Sequence, residues 1–166
     1  LRAGMEVSWD SSVGMQEVLF HALTLTLHGP EPSMLRLLDW LEPQRPDVVA
    51  ISNGLLCGLA RGLKERLGCR VVCSLQGEDS FLDSLPEPYR AQAWQAFREA
   101  GAAVDRFVGV SEYYAAVMRE RLGFGAEKIV TVHNGIDLAE FRPALEPPAR
   151  PTVGYLARLC HGKGLH

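Results

Sequence analysis

The feature that most constrains the fold of this sequence is a regular alternation between short apolar runs and longer amphipathic segments. Four runs of five or six residues, rich in Val and Ile, occupy residues 47–52, 70–75, 106–110 and 128–132. Segments with helical spacing of apolar residues follow the first three runs, at residues 55–67, 89–104 and 112–122. Strands that alternate with helices indicate βαβ units around a parallel sheet. The sequence therefore predicts an α/β domain with a doubly wound parallel sheet, whose strands are buried on both faces.

Capping residues support these boundaries. Gly68 and Gly123 each stand where a glycine commonly ends a helix. Ser111 is predicted as the N-cap of the last helix, and the charge of Glu112 suits the positive end of that helix. Two further helices are predicted before the first apolar run, at residues 13–27 and 33–41.

Composition excludes several classes of protein. The chain has 166 residues, of which 47% are hydrophobic and 22% charged, as in an ordinary globular domain. Its formal net charge of -3 gives no basic excess for binding nucleic acid. No apolar run approaches the ~20 residues that a membrane span needs. The cysteines and histidines lack the spacing of a metal site, so we expect no metal ion.

Free thiols and a local group of cations bear on where the protein works. Several unpaired thiols fit a reducing compartment, so a cytoplasmic location is favoured. Four basic residues lie close together in the sequence, namely Arg61, Lys64, Arg66 and Arg70. A solvated helix face is the favoured interpretation, and contact with an anionic membrane or acceptor is the alternative. Peripheral contact with the inner face of a membrane therefore stays open.

Polar residues follow each predicted strand, at the edge where open α/β sheets bind their ligands. They comprise Asn53, Gln76, Gly77, Glu78, Asp79, Ser111, Glu112, His133, Asn134 and Gly135. Amides and carboxylates hydrogen-bond well to hydroxyl groups, and glycines permit close approach to the backbone. The set predicts a surface for a polyhydroxyl ligand, with His133 as the histidine nominated for it. For any single loop, an ordinary role in a turn or helix cap is the alternative.

The character of the sequence changes in its last quarter. Residues 144–151 contain three prolines and are predicted as a stiff linker. They separate a first domain, residues 1–143, from the start of a second domain at 152–166. Residues 152–157 are predicted as the first strand of that second domain.

Two cations follow this last predicted strand. Arg158 comes directly after it, and Lys163 lies between two glycines where a helix should begin. Arg grips phosphate oxygens through two parallel hydrogen bonds, Lys supplies a compact charge, and a helix terminus adds N–H donors. This combination predicts a pyrophosphate site. The alternative is a surface Arg and a surface Lys with a turn between them.

The order of these motifs resembles that of a known family. The run Val-His-Asn-Gly-Ile-Asp at residues 132–137, then Phe141 and Pro143, and finally Arg158 and Lys163 are similar to the domain junction of retaining glycosyltransferases of family 4. These enzymes, also called group 1 transferases, have the GT-B fold. The likeness extends from about residue 45 to the end of the chain.

The resemblance implies a hexosyltransferase whose amino-terminal, Rossmann-like domain holds the acceptor. That acceptor would be a glycan, a lipid or a small molecule. The donor would be a UDP-, GDP- or ADP-sugar bound by the second domain, with Arg158 and Lys163 on its pyrophosphate. The nucleotide-sugar is then a co-substrate, no cofactor is implied, and transfer retains the anomeric configuration. The family's downstream glutamate pair lies beyond His166, so the catalytic residues stay unknown, and this chain alone is expected to be inactive.

One departure from the family pattern opens an alternative. Many members carry His before the glycine of the second loop, where this chain has Gln76. An amide hydrogen-bonds a sugar but cannot act as a general acid. The alternative is a non-catalytic, glycosyltransferase-like module that binds a sugar or a partner. A dinucleotide-binding domain is disfavoured because no GxGxxG follows any predicted strand.

Overall fold

A computed structural model describes residues 32–140, 146, 148–157 and 164. The chain divides into two compact units, Leu1–Asn134 and Gly135–His166. The helix predicted at residues 13–27 lies outside the described residues.

The described part of the first unit is an α/β structure with a parallel sheet, which confirms the predicted fold class. Its strands are β1 (Val48–Ile51), β2 (Arg70–Leu75), β3 (Arg106–Gly109) and β4 (Ile129–Thr131). Its helices are α1 (Pro32–Leu41), α2 (Leu59–Leu67), α3 (Glu78–Ser84), α4 (Tyr89–Gly101) and α5 (Glu112–Leu122). Short 3₁₀ turns occupy Glu42–Gln44 and Gly54–Leu56, and the second unit has another at Leu138–Glu140.

The strands lie side by side in chain order, β1-β2-β3-β4, and every neighbouring pair is parallel. Leu75 pairs with Gly109, and Gly109 pairs with Thr131, so the carboxyl ends of three strands meet at one edge. Ile51 at the end of β1 pairs with Cys73. Because the order never reverses, the switch that defines a double winding is not among these four strands.

One face of the sheet carries the core. Phe107 of β3 is fully buried there, with Phe97 of α4 edge-on to it and the Phe124 ring stacked on it, each at a centroid distance of 6.1 Å. Helix α2 contacts β2, and α5 contacts both β3 and β4. These aromatic and helical contacts remove the apolar side chains of that face from water, which is the main stabilising contribution.

Among the described residues, the opposite face of the sheet is less covered, whereas the sequence predicted strands buried on both faces. Val48 is 54% exposed, and Val72, Val108 and Val130 are only partly buried. Successive side chains of a strand point to opposite faces. The helices that contact the described strands therefore bury every second residue, as the alternating burial of β2 shows.

The cysteines that the structure describes are buried free thiols, as predicted. Cys57, Cys69 and Cys73 have no disulfide partner. Burial raises the pKa of the Cys57 and Cys73 thiols, and the nearby charge of Glu78 adds to the effect. These thiols therefore stay neutral and pack as small apolar groups.

Two of the four clustered cations pair with carboxylates of other segments of the fold. Arg66 pairs with Asp39 at 2.6 Å and Glu42 at 2.8 Å, and Lys64 pairs with Asp105 at 2.9 Å. These pairs support a structural role for both side chains. Among the described residues, no helix has the length and apolar character required to cross a bilayer.

Three predicted elements differ in the structure. Residues 78–84 form α3 instead of a loop, and the helix predicted at 55–67 is divided into a 3₁₀ turn and α2. The strand predicted at residues 152–157 is not formed, and Val153 and Leu156 there are fully exposed. A strand needs a neighbour for its backbone N–H and C=O groups, and none of the described strands pairs with this segment.

Asp105, which directly precedes β3, is hydrogen-bonded to β2 at the amino-terminal edge of the sheet. Its Oδ2 accepts a hydrogen bond from the Val71 N–H at 2.8 Å, and its own N–H donates to the Val71 carbonyl at 2.8 Å. Burial alone would raise the pKa of Asp105, but the Val71 N–H and the Lys64 ammonium outweigh it and lower that pKa. The charged form of this carboxyl therefore stabilises the fold.

We expect Asp105→Asn to lower the free energy of unfolding at neutral pH by about 1–2 kcal/mol. A lowered pKa in the folded state stabilises above the ordinary carboxyl pKa and loses this contribution as pH falls through the folded value. The variant should therefore lose less stability than wild type on acidification below about pH 4. Urea unfolding at several pH values measures both effects. Glu65→Gln, on the exposed face of α2, is the control, and an unchanged acid dependence in Asp105→Asn would contradict the assignment.

Candidate functional site

The candidate site is the set of loops that follow the four strands, here called the rim. It consists of residues 53–54 after β1, 76–79 after β2, 111–112 after β3 and 133–134 after β4. Parallel pairing brings these loops to one edge of the sheet. All four belong to the first unit.

A buried carboxylate joins the rim loops after β1 and β2 to the first turn of α5. Glu78 is 3% exposed. Its Oε1 accepts a hydrogen bond from the Gly54 N–H at 2.7 Å. Its Oε2 accepts from the Gln76 N–H at 2.8 Å and from the Tyr114 hydroxyl at 2.9 Å. Three donors thus compensate the loss of hydration that burial of this side chain entails.

Tyr114 connects this carboxylate to the backbone of the second loop. Its hydroxyl donates to Glu78 and accepts a hydrogen bond from the Gly77 N–H at 3.0 Å. Burial raises the pKa of Tyr114, and the charges of Glu78 and Asp79 raise it further. The phenol therefore keeps its proton and acts as a donor to the carboxylate.

Helix capping places Tyr114 at this point. Ser111 is extended, and its Oγ accepts a hydrogen bond from the Tyr114 N–H at 3.2 Å, which starts α5 as predicted. Tyr114 is the third residue of α5, so its side chain lies near the carboxyl ends of the strands. Asn53 plays a similar part after β1, where its Oδ1 accepts from the Leu55 N–H at 2.8 Å.

Gly54 is required by a close approach. A Cβ at this position would lie 2.5 Å from Cζ of Phe97 and 3.1 Å from Oε1 of Glu78. Gly77 has a different requirement, because its φ of 96° is a conformation that other residues rarely adopt. Gly54 and Gly77 therefore each have a structural reason of their own, whereas a Cβ at Gly135 would meet no atom within 4 Å.

The structure divides the predicted rim residues by exposure. Glu78 lies beneath the rim with both oxygens occupied, so a ligand at the surface does not meet its carboxylate in this conformation. The exposed side chains are Gln76, Glu112, His133 and Asn134, and Asp79 is partly buried. Gly135 begins the second unit and is exposed. Arg158 and Lys163 lie outside the described residues.

Tyr114 and the carboxylate contact of Gly54 were not predicted from the sequence. The dipeptide Asn53-Gly54 is typical of an ordinary turn, and nothing in the sequence distinguishes Tyr114 from other residues of its predicted helix. The signal that could have identified Tyr114 was its place in the first turn of the helix predicted directly after the third strand. That position faces the same sheet edge as the acidic residues of the second loop.

The part of the chain that the structure describes contains no group of three or more His, Cys, Asp or Glu side chains placed to hold a metal ion. Its exposed rim groups are two amides, one imidazole and one carboxylate. Amides and imidazoles both donate and accept hydrogen bonds, which suits a ligand with several hydroxyl groups.

We expect Glu78→Gln to lower the free energy of unfolding by about 1–3 kcal/mol. One carboxylate oxygen would become an NH₂ group facing a backbone N–H or the Tyr114 hydroxyl, and a buried donor would lose its acceptor. Chemical denaturation measures the change. Glu120→Gln, exposed on α5, is the control, and equal stability of the two variants would show that the buried carboxylate is not needed.

Gly54→Ala should also destabilise, by about 1–3 kcal/mol, because the added methyl overlaps the Phe97 ring. Thermal unfolding gives the shift. Gly154→Ala is the matched control, since a Cβ there meets no atom within 4 Å. A Gly54→Ala protein as stable as this control would mean that the Phe97 ring moves aside without cost.

Comparison with known protein families gives a match. The model of the family described as Glycosyltransferase Family 4 matches residues 17–140. No curated protein and no solved structure matches the chain significantly. The matched segment covers well over half of the chain, and it includes all four described strands and the rim. The chain therefore belongs to Glycosyltransferase Family 4.

Proposed function

We propose that the full-length protein transfers a hexose from a nucleotide-sugar to a glycan, lipid or small-molecule acceptor, with retention of configuration. The family match over residues 17–140 carries this proposal. This chain supplies the acceptor-side domain of a GT-B enzyme, and a donor-binding domain completes the cleft.

The chemistry of the rim supports a sugar ligand. Gln76 and Asn134 offer amides, His133 offers an imidazole, and all three are exposed at the carboxyl edge of the sheet. No hydrogen bond between these side chains and another described residue competes with a ligand. Groups that both donate and accept hydrogen bonds match the hydroxyls of a sugar.

Departure of the nucleoside diphosphate requires positive charge near the pyrophosphate. We assign this role to Arg158 and Lys163, on the basis of their spacing after an apolar run and beside two glycines. The fork of Arg binds two phosphate oxygens, and the Lys ammonium neutralises charge that develops as the bond to the sugar breaks. UDP-, GDP- and ADP-sugars share this pyrophosphate.

A second candidate function is non-catalytic binding of a sugar or a partner by a glycosyltransferase-like module. Gln76 is the observation that favours it, because its amide hydrogen-bonds a ligand but cannot transfer a proton. Saturable glycan binding by the full-length protein, without nucleotide release from any donor, would identify this function.

We expect an Arg158→Ala, Lys163→Ala double variant of the full-length protein to lose at least about a hundredfold in kcat/KM for its nucleotide-sugar. Release of UDP, GDP or ADP across a panel of donors, with a crude acceptor extract, measures turnover and names the donor. The matched control is Arg61→Ala, Arg98→Ala, which removes two exposed cations from α2 and α4.

The two variants separate a specific role from a general effect of charge. Activity lost only in the Arg158, Lys163 variant supports the pyrophosphate assignment. Full activity in that variant contradicts it, and equal loss in both variants would trace the effect to net charge. The 166-residue chain alone is expected to release no nucleotide.

A further inference from the structure

Two consecutive backbone N–H groups of the loop after β2 are held by side chains. The Gln76 N–H donates to Oε2 of Glu78 at 2.8 Å, and the Gly77 N–H donates to the Tyr114 hydroxyl at 3.0 Å. The two acceptors are themselves joined by a hydrogen bond of 2.9 Å. The loop is thereby tied to α5, an element that follows a different strand.

The geometry of the loop makes these bonds consequential. Gly77 has a φ of 96° and directly precedes α3, so the backbone turns sharply between β2 and that helix. Within the described residues, the side chain of Gln76 is exposed and contributes nothing to holding the turn. The position of the Gln76 amide thus depends on the two backbone N–H groups and their acceptors.

The hydroxyl of Tyr114 is not needed to form α5. Ser111 caps the start of the helix, and Gly123, with a φ of 71°, ends it. Ala115, Met118 and Leu122 provide its buried contacts. The polar end of Tyr114 therefore serves the loop after β2, while the fold of its own helix is secured by other residues.

We propose that Tyr114 is a positioning residue for sugar transfer, acting with Glu78 to fix Gln76 and Gly77 at the rim. This inference rests on the proposed glycosyltransferase function. Tyr114 does not touch the substrate. Its hydroxyl orients the loop that presents the Gln76 amide. The backbone is therefore already ordered when the amide contacts a sugar hydroxyl.

The test is Tyr114→Phe in the full-length protein. The matched control is Tyr113→Phe, which removes a hydroxyl from the adjacent residue, whose side chain is 79% exposed. We expect Tyr114→Phe to lower kcat about tenfold, since a small displacement of a positioning group lowers the rate by one or two orders of magnitude. The KM for the nucleotide-sugar should change less than about twofold, because the pyrophosphate is assigned to Arg158 and Lys163.

Amide hydrogen exchange supplies the second readout. Exchange at Gly77 should become faster in Tyr114→Phe and stay unchanged in Tyr113→Phe. The core amides of β3, such as that of Phe107, should keep wild-type protection, because the core contacts are untouched. Faster exchange at Gly77 with a lower kcat and a protected core supports the proposal.

Three outcomes would overturn the inference. The first is wild-type kcat in Tyr114→Phe, and the second is an equal loss in Tyr113→Phe. The third is a loss of activity that accompanies faster core exchange and disappears on cooling, as expected for a purely structural residue. A wild-type protein that releases no nucleotide from any donor contradicts the proposed function itself and removes the inference with it.

Discussion

The buried carboxylate of Glu78 is the interaction on which the arrangement of the rim depends. A carboxylate at 3% exposure is costly unless donors replace its water, and here the donors come from Gly54, Gln76 and Tyr114. Each donor belongs to a loop or helix that follows a different strand. The loops after β1 and β2 and the start of α5 therefore cannot move apart without leaving a charge unsatisfied. A sheet edge that would otherwise present independent loops becomes one hydrogen-bonded surface.

Local signals in the sequence were sufficient for most of the sheet and helices. The four apolar runs became β1 to β4 within one residue at each end. Gly68 and Gly123 end their helices in the left-handed conformation, at φ values of 65° and 71°. Ser111 caps α5 through its hydroxyl. In each case the cause lies within a few residues of the effect, either as side-chain periodicity or as a cap.

The remaining features depend on contacts between distant residues. Glu78 and Gly54 are 24 positions apart, and Glu78 and Tyr114 are 36 apart, so no local pattern pairs them. The acidic residues of the second loop were therefore predicted as surface ligands, although one of them is buried. Helix α3 was missed for a related reason, since its first residue is held from outside by these contacts. Burial of the strands on both faces was inferred from apolar character alone, which cannot specify where covering helices lie.

The second loop is held independently of the side chain at position 76. Glu78 binds the backbone N–H of Gln76, and Tyr114 binds that of Gly77. Every residue except proline provides such an N–H, so the side chain at position 76 is free of any role in holding the loop. Either His or Gln at this position would leave these hydrogen bonds intact. The identity of residue 76 therefore sets the chemistry presented to a ligand, since His can carry a proton and Gln only hydrogen-bonds, while the backbone that presents the side chain stays the same.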